Sequence, residues 1–264
     1  MELLIQQLVN GIALGSIYAL VALGYTMVYG TIKLINFAHG DVYMMGAFVG
    51  FYAMNGLGLN IFLSLLLAMV SCAVLGVVIE RVAYKPLRRS TRVAALITAI
   101  GVSFLLENVM SYLFGAEIRP FPSDFGTTNY TLFGNITING KQILIFATTV
   151  ILMALLQFIV HYTKMGKAMR AVAVDEDAAQ LMGIDVDQVI SFTFALGSSL
   201  AGIAGVLVAL YYNTFSATMG IVPGLKAFVA AVLGGIGSIP GAMIGGYVIG
   251  LLETLVSYLG FSPY

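Results

Sequence analysis

This sequence predicts an all-α polytopic membrane protein with roughly seven to eight transmembrane helices. Three observations carry the prediction. Hydrophobic residues make up 60% of the 264 and charged residues only 9%, where soluble domains carry about a quarter charged residues. Uncharged runs follow one another along the chain, each near the roughly 20 apolar residues that one crossing needs. The charges collect between those runs. Lys and Arg balance Asp and Glu at 12 each, so no net field recruits nucleic acid. Residues 1–264 read as a single transmembrane domain. The one cysteine, Cys72, lies inside an apolar run and reads as a packing residue. MELLIQQLVNG lacks the basic stretch of a cleavable leader, so the first run is expected to remain as a span, with no soluble domain beside it.

Taken in order, residues 3–32 form one long uncharged run in which Gly11, Gly15 and Ala19 recur at four-residue spacing, a stripe suited to close helix approach. A turn over 31–41 follows. Residues 42–79 are too long for one span and break at Asn55, Gly56, Gly58 and Asn60, giving two helices. The loop 80–92 holds Arg81, Lys85, Arg88, Arg89 and Arg92, so the positive-inside rule places it in the cytoplasm. Residues 93–114 form the fourth span, interrupted by Glu107 and Asn108. The polar segment 115–141 is rich in turn formers, with sequons at Asn129 and Asn135, and reads as an extracytoplasmic loop in which some strand can form.

Residues 142–160 make the fifth span. The charged segment 164–188 follows, and its Lys164, Lys167 and Arg170 return it to the cytoplasmic side. Its acidic residues come later, from Asp175, Glu176 and Asp177 to Asp185 and Asp187. Ala178, Ala179, Leu181, Met182 and Ile184 supply apolar contact at roughly helical spacing, so a short helix outside the bilayer is expected. Residues 189–211 form the sixth span, with a second small-residue stripe at Gly197, Ala201 and Gly205. Near 227–250, two apolar pieces flank Gly234, Gly235, Gly237, Pro240 and Gly241. A broken or re-entrant helix is expected there, as a candidate pathway element, with an ordinary loop between two helices as the alternative.

Soluble-enzyme chemistry has little to work with. The two histidines, His39 and His161, stand far apart, and no HExxH or CxxC suggests a metal. GGIGSIPG lacks the Lys-Ser or Lys-Thr of a phosphate loop, so this chain does not hydrolyse ATP by itself. Gly40-Asp41 lacks the second aspartate that an intramembrane protease would need. Glu107 and Glu253 are the carboxylates within apolar runs, each a candidate for function or for pairing across helices.

Three segments in order carry a resemblance. They are Ile35-Asn36-Phe37-Ala38-His39-Gly40-Asp41 continuing to Ala47, then Arg170 through Asp175 with Ala178-Ala179, Leu181 and Gly183-Ile184, and finally LKAFVAAVLGGIGSIPGAMIGG. Together they resemble the LivH-type permease subunits of branched-chain amino acid ABC importers. The resemblance implies a multi-pass protein of the bacterial inner membrane, paired with a second, LivM-like permease. It also implies two ATPase subunits and a periplasmic substrate-binding protein. ATP-Mg would sit on the ATPases, and this chain would bind no cofactor. Arg170, Asp175, Glu176, Ala178, Ala179, Leu181, Gly183 and Ile184 would form the coupling helix that docks on an ATPase. Acidic residues suit that helix's start and Gly183 its end. Asn36, His39 and Asp41 are expected to cap or fix the turn by hydrogen bonds, with substrate contact as the other reading. Related permeases carry urea, short amides or sugars, and a stand-alone secondary transporter is the rival outside the class. Such relatives usually continue past Phe261-Ser262-Pro263-Tyr264 into a further apolar helix.

Overall fold

The computed structural model describes residues 2–88, 90–122, 125–126, 128–132 and 136–260. Arg89, Asn135 and residues 261–264, each used in the sequence reading, lie outside the described residues. Ten α-helices are described: α1 (Glu2–Ile32), α2 (His39–Asn55), α3 (Ile61–Ile79), α4 (Arg92–Phe114), α5 (Gly140–Tyr162), α6 (Lys164–Val174), α7 (Glu176–Leu181), α8 (Val186–Tyr212), α9 (Ile221–Leu233) and α10 (Ile239–Tyr258). α3 runs on through a π-helical turn, Glu80–Tyr84, and a 3-10 turn, Lys85–Leu87.

Six of the described helical segments are long and apolar enough to cross a bilayer. α2, with 17 residues, and α9, with 13, reach only about 26 and 20 Å at roughly 1.5 Å per residue, short of a 30 Å hydrocarbon core.

α1 and α8 form the buried centre, and α2, α3, α9 and α10 pack around them. The predicted small-residue stripes are the seams. Gly11 lies against Leu251 and Thr254, Gly15 against Tyr247, and Gly246 against Ala19, so α1 and α10 run antiparallel with backbones nearly touching. On α8, Gly197 meets Gly24 of α1, Ala201 is fully buried, Gly202 meets Cys72 of α3, and Gly205 takes the backbone of Tyr43 and Ala47 on α2. Without the hydrophobic drive that water supplies, such close van der Waals contact is what holds membrane helices together. α4 and α5 lie outside this centre, with mostly exposed apolar faces.

The Gly-rich segment near 227–250 is interrupted as expected, and the interruption is a hairpin. Gly234 faces Gly241 and Gly245 faces Ala230, which makes α9 and α10 antiparallel partners. Gly235 and Gly237 turn the chain with φ of +87° and +98°, a region that glycine enters without strain. The hairpin tip rests on Gly30 near the end of α1.

At the opposite end, β2 (Asn129–Leu132) and β3 (Ile136–Asn139) form an antiparallel hairpin, and β1 (Arg119–Pro120) pairs with β4 (Thr214–Phe215). Gln6 docks the hairpin onto α1 by donating to the Thr137 carbonyl and accepting from its N–H, both at 2.9 Å. Asn10 accepts from Gln142 at 2.8 Å. These bonds explain the polar residues that open α1.

Candidate functional site

Side-chain caps begin α3 through α8 and α10, from Asn60, Thr91, Asn139, Thr163, Asp175, Asp185 and Ser238. The two short helices differ. α2 starts after Ala38 and α9 after Gly220, neither with a side-chain cap.

Both starts lie deep in the protein. His39 packs on Gly24, eight residues before α1 ends at Ile32, so α2 begins roughly 12 Å inside that end at about 1.5 Å per residue. A Cβ on Gly40 would come within 2.5 Å of the Gly220 carbonyl oxygen, and one on Gly224 within 3.0 Å of the Gly40 Cα. Two first turns therefore meet backbone to backbone, with α2 leading towards the end that carries the β-hairpin and α9 towards the basic end.

The expected turn over 31–41 forms between α1 and α2, but it is drawn into the protein, because Asn36, His39 and Asp41 are all buried. Asn36 caps nothing, since its side-chain oxygen accepts from Tyr84 at 3.0 Å. The His39 ring stacks edge-on to Tyr25 at 4.7 Å, facing the Val21 carbonyl without a well-aligned hydrogen bond. Asp41 lies with Ser103 and Glu107 of α4 around one cavity, and its Oδ2 is buried without a hydrogen-bond partner, the residue being 2% exposed. A buried carboxylate oxygen with no partner is costly and calls for an occupant. Asp41, Ser103 and Glu107 line one side of a cavity of about 200 Å³, and Tyr25, Gly220 and Gly224 another.

The second assembly lies at the basic end. Thr163 caps α6, and Arg170 donates to the Val160 carbonyl, tying α6 to the end of α5. Asp175 caps α7 by accepting from Ala178 N–H at 2.9 Å. Gly183, at φ +82°, ends it, with Ile184 N–H donating back to Ala179 at 3.1 Å. The expected single helix is thus two, broken at Asp175. Leu181 and Met182 are 88% and 83% exposed beside the exposed acids Asp175, Glu176 and Asp177. Ala179, expected on the docking face, points inward and is buried, and Arg170 is spent on α5.

α7 is linked to the centre through α8. Glu80, fully buried in the π-turn, pairs with Arg88 and accepts from Ser191 at 2.6 Å. Arg88 and Lys85 both reach Asp187 at 2.6 Å. Between this network and α7 lies a cleft of about 580 Å³ lined by Lys85, Arg88, Glu176, Asp177 and Gln180 among others.

The sequence reading missed two features. Asn213–Gly220 is the irregular stretch that leads into α9; its signal was NTFSATMG followed by Pro-Gly, polar residues amid apolar ones. Glu253 does pair across helices, one of the two readings given for it, but its partners were missed: the Lys226 ammonium lies at 2.8 Å from one carboxylate oxygen and the Tyr18 hydroxyl donates to the other at 2.8 Å. Of the glycines named as packing or pathway candidates, Gly234 and Gly241 pack the two arms of the hairpin together and Gly237 meets Gly30 of α1.

The family described as "branched-chain amino acid transport system / permease component" matches residues 7–264. The chain belongs to this family. The permease is 44% identical over 264 residues to the high-affinity branched-chain amino acid transport system permease protein LivH of Escherichia coli (strain K12), covering 96% of this chain and 86% of that one. It is 43% identical over 263 residues to BraD of Pseudomonas aeruginosa, which carries the same description, covering 95% and 85%. The ribose import permease protein RbsC of E. coli K12 is more distant, at 28% over 270 residues, covering 98% and 80%. The resemblance carried by the three sequence segments is borne out. The chain is the multi-pass transport subunit of a larger transport system and is not an enzyme.

Proposed function

We propose that this permease builds, with a second permease subunit, the membrane pathway of a bacterial inner-membrane importer for leucine, isoleucine and valine. A periplasmic binding protein delivers the cargo, and two cytoplasmic ATPase subunits holding ATP-Mg drive it. The exposure of Leu181 and Met182 on a capped, acidic helix outside the bilayer is the observation that carries the reading. Two bare apolar side chains rimmed by carboxylates suit a groove on another protein better than water.

In this reading, ATP-driven closure of the ATPases pushes α7. Gly183 to Asp185 pass the push to α8, and the Asp187–Arg88–Glu80 network passes it to α3. α8 then moves against α1 and α2 along the Gly197 to Gly205 seam, opening one end of the pathway and closing the other. The 44% identity to LivH and 43% to BraD support the cargo.

The test is uptake by the reconstituted complex. Leu181→Asp should cut ATP-dependent leucine uptake at least tenfold while the chain still assembles with the second permease. Excess isoleucine or valine should compete with leucine, and urea or ribose should not. Full uptake by Leu181→Asp, or competition by ribose, contradicts the proposal.

A further inference from the structure

We infer that the π-helical turn Glu80–Tyr84 links α8 to the start of α2, and that Tyr84 is the positioning residue that passes movement of α8 through Asn36 to the place where α2 meets α9. The inference rests on the ATP-driven movement of α8 proposed above.

The turn is placed by the residues it must bury. Cys72, Gly76, Glu80 and Tyr84 recur every four residues, and all are buried. In a regular α-helix of roughly 3.6 residues per turn, each such step carries the side chain about 40° round the axis. Three steps add to about 120°, enough to carry Tyr84 off the face that meets α8. At Glu80 the chain widens instead. Lys85 N–H donates to the Glu80 carbonyl, five residues back, and the wider turn takes up part of the drift. Single π-turns within helices are rare and recur at functional sites.

One side of the widened segment is fastened to α8. Asp187, Ser191 and Phe194 stand four and then three residues apart, so they form one stripe of that helix. Asp187 takes Lys85 and Arg88 at 2.6 Å, Ser191 donates to Glu80 at 2.6 Å, and the Phe194 ring lies 5.1 Å from the Tyr84 ring. Glu80 is fully buried, and pulling it from its partners would strand a charge. A shift of α8 therefore takes the segment with it.

The other side reaches α2. The Tyr84 hydroxyl donates to the Asn36 side-chain oxygen at 3.0 Å, across 48 residues of sequence, and both residues are buried. The Asn36 backbone carbonyl in turn accepts from His39 N–H at 3.1 Å. His39 opens α2, which begins without a side-chain cap. Asn36 thus holds α2 by its main chain and Tyr84 by its amide. Close-packed, hydrogen-bonded groups move as units rather than deforming continuously. Movement of α8 then re-aims the first turn of α2, where Gly40 lies against Gly220 and Gly224.

The test is the ATP consumed per leucine carried by the reconstituted complex, with both rates taken per assembled complex. Tyr84→Phe keeps the ring on Phe194 and removes only the hydroxyl. It should lower leucine uptake at least fivefold while binding-protein-stimulated ATP hydrolysis stays within twofold of wild type. Asn36→Ala, which keeps the carbonyl that holds His39, should do the same. The double variant should be no worse than the more affected single one, because the two side chains form one link. Ser16→Ala is the control. It removes another cross-helix hydrogen bond, at 3.2 Å to Tyr247 of α10, yet should leave the ratio unchanged. A wild-type ratio in Tyr84→Phe, or uptake and hydrolysis falling together, would overturn the inference. So would an equal rise of the ratio in Ser16→Ala, or losses that multiply in the double variant. The reading on which it rests fails separately, if the wild-type complex takes up leucine without hydrolysing ATP.

Discussion

Replacing Gly40 with alanine probes the point where the two short helices touch. The added methyl carbon would sit 2.5 Å from the Gly220 carbonyl oxygen and 3.3 Å from the Gly224 Cα. Ordinary contact begins near 3.4 Å, so backbone must retreat by about 0.9 Å, the difference between 3.4 and 2.5. Neither neighbour is a flexible side-chain tip. Overpacking against such a wall costs about 1–3 kcal/mol. The helix-propensity gain at a first-turn position offsets only roughly 0.5 of that, which leaves about 0.5–2.5 kcal/mol of destabilisation. Gly101, in the middle of α4 with nothing within 4 Å of its virtual Cβ, is the internal control. There alanine should stabilise by about 0.5–1 kcal/mol. Thermal unfolding of the two purified variants in the same detergent should show shifts of opposite sign. Should Gly40→Ala melt at or above Gly101→Ala, the backbone contact between α2 and α9 is not as described.

Other substitutions test the polar networks. Arg88→Ala strands the fully buried Glu80 carboxylate and should cost about 3–5 kcal/mol; pairing it with Glu80→Gln should recover most of that in a denaturation series. Lys85→Ala, whose partner pair is half exposed, should cost under about 1 kcal/mol and less still in high salt. Lys226→Met removes one of the two donors on Glu253 and should cost about 1.5–3 kcal/mol, while Lys226→Arg should cost less, as read by melting temperature.

The sequence exposed the features that arise from local chemistry. The stripes Gly11–Gly15–Ala19 and Gly197–Ala201–Gly205 announced the helix seams because close backbone approach tolerates few residue types. Asp175 and Gly183 marked the two ends of α7 because caps are local as well. Features set by tertiary contact stayed hidden. Asn36, His39 and Asp41 read as residues that cap or fix a turn, since nothing in the chain order says that α1 continues past the level at which α2 starts. Ala178 and Ala179 looked equivalent, yet one is exposed and the other buried, a distinction set by the neighbours of α7. The Lys226–Glu253 pair escaped notice because its members lie on the two arms of a hairpin, 27 residues apart.

The lever role of α7 is tested most directly by a cross-link. With Leu181→Cys in the otherwise native complex, a short bifunctional thiol-and-amine reagent should join this chain to an ATPase subunit, and the yield should change between nucleotide-free and ATP-bound states. Absence of any such adduct in a complex that still transports, or labelling of the same cysteine by an impermeant reagent from the periplasmic side, would contradict the account.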